Sequence, residues 1–462
     1  MLSFWAGFCG YNSDREDFLL TELLFARGQM AMLFAFHIVF AVAGMGMPVL
    51  MVAAEAAGRK TGKPVYLELA RRWARGTGVL FAVGAVSGTV LSFELGLLWP
   101  RFMEFSGGII GLPFALEGFA FFAEAIFLGI YLYGWDKVSP LLHLLSGAAV
   151  ALGGILSGIF VVTANAWMNS PAGFALVDGI PVNISPLAAM LNPAWKTETA
   201  HMTLAAFAAT GFAVAGIHAF MLLRDRGNLF HRRALAIALW VGGVAAILLP
   251  VSGDFNARFI ARHQPVKLAA MEGQFRTERG APLRIGGIPD VDSRTTRFAI
   301  EIPRALSLLA FHDPDAEIRG LSAFPPDEWP NPVPVHLAFQ FMVASGTTMS
   351  VLALLSALIA WRRREWLYTR RFLIAVAACG PLGILSVEAG WVVTELGRQP
   401  WVIHGVMRTA DAVTTVGGLA IPFAFFSLLY LALGISAAWL LRREVSESPA
   451  FPLDGRSGRK HG

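Results

Sequence analysis

Ionisable side chains inside long apolar runs are the residues of this sequence best placed to do chemistry. Glu117 and Glu124 stand in ALEGFAFFAEAIF, and Glu388 and Glu395 in SVEAGWVVTELG. Each pair is separated by two helical turns less about 20°, so both acids share a helix face roughly 10 Å apart along the axis. A carboxylate in a spanning helix costs about 2.5–3.5 kcal/mol on insertion scales, which makes a pair on one helix a functional expectation. The competing reading is a pair satisfied by neighbouring hydroxyls. The second pair runs into Gly397-Arg398-Gln399-Pro400-Trp401: a helix stop, a cation, a rigid turn and an interfacial aromatic. That order suits an anionic group held at the membrane surface beside a buried ligand. His37 in MLFAFHIVF, His201 in KTETAHMTLAAF and Met342 in FQFMVASG are the neutral donors. Taken singly, each has a bland reading as a core or interfacial side chain.

The elements that must position these groups are membrane spans. The chain has 462 residues, 55% hydrophobic and 15% charged, where a soluble chain carries about 25% charged residues. An all-α integral membrane protein is the fold class expected, a bundle of about nine transmembrane helices. Runs long enough to cross a ~30 Å core lie at 28–54, 77–99, 109–134, 139–163, 200–223, 234–251, 334–360, 372–396 and 413–441. Basic residues crowd alternate connections: Arg59 to Arg75, Lys137, Arg224 to Arg233, Arg362 to Arg371 and Arg442-Arg443. The positive-inside rule then predicts the N-terminus outside and the C-terminus cytoplasmic, the parity that nine crossings require. The expected organisation is an N-terminal extension 1–27, helices 1–6 over 28–251, an outer loop 252–333, helices 7–9 over 334–441 and a tail 442–462. Two short patterned pieces of the loop, Val266–Phe275 and Phe298–Leu309, read as surface helices. The net charge of +5 is spread over loops rather than gathered in a patch, so nucleic acid is not an expected partner. Cys9 and Cys379 form no disulfide framework and no metal-thiolate cluster. Met1–Asp17 has no basic n-region ahead of an apolar stretch, so the first span is expected to do the targeting.

Depth links the donors. With this orientation His37, Glu117, His201 and Met342 fall within about ten residues of the outer ends of their helices, and Glu395 lies near the outer end of the eighth. A shared layer of His, Met and Glu without cysteine suits haem iron, whose axial sets are His/His, His/Met or one His. Zinc or calcium needs denser convergence. The inner-half acids Glu124 and Glu388 suit a proton relay, continued by Ser146, Ser157, Thr163 and His143. Glu94 is a further buried acid without an assigned role.

The segments ARGQMAMLFAFH, PFALEGFAFFAEAIFLGIYLYGW, TANAWMNSP, VKLAAMEGQF, GIPD, FAIEIPRAL and VEAGWVVTELGRQPW resemble subunit I of the cytochrome bd-type quinol oxidases, over most of the chain from Arg27 to Trp401. GRQPWVIHGVMRTADAV looks closer to the short-loop and cyanide-insensitive branch than to the long-loop branch. The resemblance implies a bacterial inner-membrane oxidase that carries electrons from quinol to O2 and builds a proton gradient without pumping. It implies His201 and Met342 as axial ligands of a low-spin haem b. It implies His37 and Glu395 as protein ligands of two high-spin haems, a haem b with a haem d or a further haem b. Glu117 would lie beside these, and Glu124 on the proton uptake route. Lys267 and Glu272 would bind quinol and take its protons. Arg398 and Arg27 would pair with propionates. Implied partners are a second membrane subunit, with a small single-helix subunit as a further candidate, besides quinol, O2 and the lipid bilayer. Gln340 stands where many members carry arginine, FELGLLW ends helix 2 where a QFGTNW-like sequence is usual, and the N-terminus is longer than usual. The competing functions are a haem-bearing quinol dehydrogenase that does not reduce O2, a proton-coupled transporter and a non-catalytic assembly subunit.

Overall fold

The computed structural model describes residues 13–414 and 416–446, with side chains from Thr21 onward. Cys9 and the tail beyond Ser446 lie outside the described residues, as do the first twelve residues of the expected N-terminal extension. Nine helical segments among the described residues are long and apolar enough to cross a membrane. They are α1 (Ser13–Thr61), α2 (Pro64–Leu98), α3 (Pro100–Tyr133), α4 (Pro140–Asn169), α5 (Trp195–Arg224) and α6 (Leu229–His263), then α8 (Pro332–Arg362), the broken pair α9 (Arg370–Cys379) and α10 (Leu382–Leu396), and α11 (Ala420–Ser446). Between α6 and α8 lies the short helix α7 (Pro265–Glu272).

Local chemistry sets these boundaries. Proline occupies the first turn of α2, α3, α4, α7 and α8, where its missing N–H costs nothing. Ser139, Asn228 and Asn331 cap α4, α6 and α8 by accepting backbone N–H groups of the first turn. The sequence 372–396 reads as one span, but Pro381 interrupts it. There Gly380 lies so close to Gly216 of α5 that a Cβ on it would stand 3.1 Å from the Gly216 Cα.

α5 is the central column, the most deeply buried of the spans, and packs on α1, α4, α6, α9 and α10. Small residues allow the approach: a Cβ on Gly211 would meet the Gly242 Cα of α6 at 2.4 Å. α2 and α11 lie at the periphery and leave Phe93, Leu97, Ile421 and Leu428 exposed, as lipid-facing or partner-facing helices should.

Several boundaries differ from those expected. α2 begins at Pro64 rather than 77, and α6 runs to His263 rather than 251. The apolar pattern of α6 ends where charges begin, yet the Arg258–Asp254 ion pair, one turn apart, lets the helix continue. α11 starts at Ala420, not 413, because Glu22 of α1 accepts the N–H groups of Gly418 and Leu419 and holds that stretch outside the helix. The patterned piece at Val266–Phe275 is helical over Pro265–Glu272, but Lys267 to Glu272 are buried rather than at the surface. The piece at Phe298–Leu309 divides into a strand, Ile300–Ile302, and a helix, Ala305–Phe311. The rest of this loop is a nested antiparallel ribbon in which 283–285 pairs with 300–302 and 288–290 with 295–297.

Candidate functional site

Two histidines share one arrangement. His37 on α1 places Nδ1 2.9 Å from Ser87 Oγ on α2, and His201 on α5 places Nδ1 2.9 Å from Ser252 Oγ on α6. Each serine hydroxyl donates to a carbonyl of its own helix, Gly84 at 3.1 Å and Leu249 at 2.9 Å. A hydroxyl has one proton, so the imidazole Nδ1–H must be the donor to the serine, and Nε2 keeps its lone pair. Neither Nε2 has a hydrogen-bond partner among the described residues. His143, by contrast, uses both ring nitrogens, on Glu55 and on the Tyr131 carbonyl. Glycine makes room for both free rings. A Cβ on Gly88 would stand 2.9 Å from His37 Cε1, and one on Gly253 would stand 3.4 Å from His201 Cε1.

Met342 on α8 lies against α10, where a Cβ on Gly390 would sit 3.0 Å from its Sδ. The next residue, Trp391, meets Phe34 of α1 with ring centroids 5.3 Å apart, so the helices of His37 and Glu395 touch within about one turn of each. Glu395 is held from two sides: Asn165 of α4 donates to Oε1 at 2.7 Å, and Arg398 pairs with Oε2. Arg398 is buried, and its Nε and Nη1 have no partner among the described residues. An orphaned buried guanidinium fork is suited to a carboxylate supplied from elsewhere. Arg27 is half-buried on α1, and no hydrogen bond or ion pair among the described residues joins it to this cluster.

The α3 acids both face α4. Ser157 donates to Glu117 at 3.3 Å, and a Cβ on Gly154 would stand 3.4 Å from the Glu124 carboxylate oxygens. Ser146 and Thr163 instead bond carbonyls of their own helix. Glu388 Oε1 is buried with no partner among the described residues. Glu94 receives the Gln29 amide at 2.7 Å and is satisfied there.

α7 carries the two loop residues. Lys267 and Glu272 are both buried, 4% and 5% exposed. Burial lowers the Lys267 ammonium to about 8; Glu198 and Glu395 oppose that shift and Arg398 reinforces it. Burial raises the Glu272 carboxyl to about 7 against the pull of Arg284. Glu272 Oε2 has no partner among the described residues.

Sequence reading missed the supporting groups. Ser87 and Ser252 look like ordinary hydroxyls of apolar helices until the fold brings them to the histidines. Asn169 donates to both Asn165 Oδ1, at 3.2 Å, and Glu198 Oε1, at 3.3 Å, and so joins Glu198 to the Glu395 cluster. Two amides in TANAWMN and an acid one turn before His201 were the available signal.

The donor chemistry fits haem. Among the described residues no three His, Cys, Asp or Glu side chains converge to hold an ion. Single imidazole and thioether donors on separate helices suit a macrocycle that brings its own equatorial nitrogens. A family model, cytochrome bd terminal oxidase subunit I, matches residues 25–449. A putative cytochrome bd menaquinol oxidase subunit I of Bacillus subtilis is 36% identical, aligned over 91% of this chain and 96% of its own length. A cytochrome bd ubiquinol oxidase subunit 1 of the same organism is 31% identical over 93% and 94% of the two chains. The solved bd oxidase of Geobacillus thermodenitrificans superposes with a TM-score of 0.88 at 39% identity, covering 93% of this chain and 99% of that one. Motifs, architecture and these likenesses agree over nearly the whole length, and the chain belongs to the cytochrome bd terminal oxidase subunit I family.

Proposed function

We propose that this multi-pass bacterial membrane oxidoreductase oxidises quinol at the outer loop and reduces O2 to water within its helical bundle. His201 and Met342 would hold a low-spin haem b. His37 and Glu395 would be protein ligands of two high-spin haems, a haem b together with a haem d or a second haem b. Bound haem iron supplies one-electron transfer and, at an open axial position, oxygen chemistry. The chain's own residues do the rest. Ser87 and Ser252 hold the imidazole tautomers that leave Nε2 free. Asn165 and Arg398 orient Glu395. Arg398, and on the resemblance Arg27, would take propionates. Lys267 would donate to a quinol oxygen, and Glu272 would accept a quinol proton. Glu124 and Glu117 would hold protons arriving from the cytoplasm. With the N-terminus outside, protons are released outside and consumed from inside, so a gradient forms without pumping. A second membrane subunit, with a small single-helix subunit as a further candidate, would complete the complex. The relatives named for menaquinol and for ubiquinol support the quinol class.

The observation that carries this reading is the pair of tautomer-fixed histidines with free Nε2 atoms. A pyridine haemochrome and a reduced-minus-oxidised spectrum of the purified complex test it, with oxygen uptake on a quinol donor as the activity. Three haem signals are expected, and His201→Ala should abolish the low-spin one. A low-spin signal that survives His201→Ala would overturn the assignment.

A further inference from the structure

The outer loop is fastened to α8 by two side chains one turn apart. His336, in the second turn of α8, is fully buried, with Nδ1 2.8 Å from the Met271 carbonyl and Nε2 3.0 Å from the Gly286 carbonyl. Carbonyls only accept, and a neutral imidazole has one N–H. The ring N–H therefore donates to the loop backbone. Gln340 then accepts the Gly286 N–H at 3.0 Å and donates to the Arg284 carbonyl at 2.9 Å. Gly286 can turn both its N–H and its carbonyl to one helix because it sits at φ 68°, in the left-handed region. The next residue must also be glycine, since a Cβ on Gly287 would meet Ala299 and Thr296 at 2.8 Å.

These contacts reach the candidate quinol residues on both sides. Met271 immediately precedes Glu272, and Arg284 pairs with Glu301 and with Gln274. Two residues beyond Gln340 on the same helix is Met342. We propose that His336 and Gln340 form a latch that positions the quinol-binding loop, and Glu272 with it, on the helix that carries Met342. Where the family commonly places an arginine, this chain places an amide that reads the loop backbone. The inference rests on the quinol reading for its kinetic consequence but not for the latch itself.

Hydrogen–deuterium exchange over 284–288, read by mass spectrometry on the purified complex, tests the latch. Gln340→Ala should raise exchange there about ten-fold, the effect of losing roughly one hydrogen bond. His336→Gln should likewise raise exchange there, and raise the quinol KM more than it lowers kcat. Unaltered exchange in Gln340→Ala would overturn the proposal. If His336→Gln does not assemble, that measurement still decides. Loss of quinol turnover in every form, with the exchange pattern as expected, would refute the quinol reading and leave the latch standing.

Discussion

A buried imidazole can serve iron only if one nitrogen is reserved for it, and in the proposed sites Ser87 and Ser252 would make that reservation. Removing such a supporting partner typically costs 10–100-fold in metal affinity. Ser252→Ala should therefore lower the low-spin haem content by about ten-fold in affinity terms while the helix bundle stays folded, read as the haem-to-protein ratio after dilution. Lys267 and Glu272 make a second residue-scale prediction. Glu272, raised to about 7, becomes a base as pH rises through that value, and Lys267, lowered to about 8, loses its proton above it. Quinol kcat/KM should accordingly rise through about pH 7 and fall beyond about pH 8, a bell that reports the free enzyme. Glu272→Gln should flatten the acid limb, and a profile that keeps that limb would remove Glu272 from the role. Glu198 favours the charged form of Lys267, so Glu198→Gln should move the alkaline limb to lower pH.

Helices meet here through glycine, and the consequence depends on what faces each one. At Gly390 the neighbour is the Met342 thioether, the far end of a flexible side chain. Gly390→Ala should leave thermal stability within about 1 kcal/mol yet displace the sulfur, which the low-spin optical band would register. At Gly211 the neighbour is the backbone of α6, only 2.4 Å from a new Cβ. Gly211→Ala should force the two most intimately packed spans apart and cost about 1–3 kcal/mol, measured as a lowered Tm in detergent. Hydropathy cannot tell these positions apart, because both lie in equally apolar text. It also misplaced the end of α6, where a charged last stretch stays helical through Arg258 and Asp254.

For the whole molecule, the nine helical spans among the described residues and a structured loop put the proposed quinol-side and oxygen-side residues on elements that touch. A fluorescent reporter fused after Ser446 should be active in the cytoplasm, and a periplasmic phosphatase reporter at the same point should be silent; the reverse would invert the proposed direction of proton movement. Much of this was legible beforehand. Span count, loop charges, the acid pairs and the candidate donors His37, His201 and Glu395 follow from the sequence, because burying ionisable groups in hydrocarbon is too costly to occur without a reason; Met342 stood out only through the shared depth and the resemblance. Which partner each donor has is a long-range fact: Ser87 lies fifty residues from His37, Asn165 lies 230 from Glu395, and the Gly286 amide lies 54 from Gln340. Local pattern carries no information about such pairs. The helical periodicity by itself determined which faces are apolar and which positions bear chemistry. Only the packed bundle decided which imidazole nitrogen stays free, because that depends on a hydroxyl brought up by a different helix.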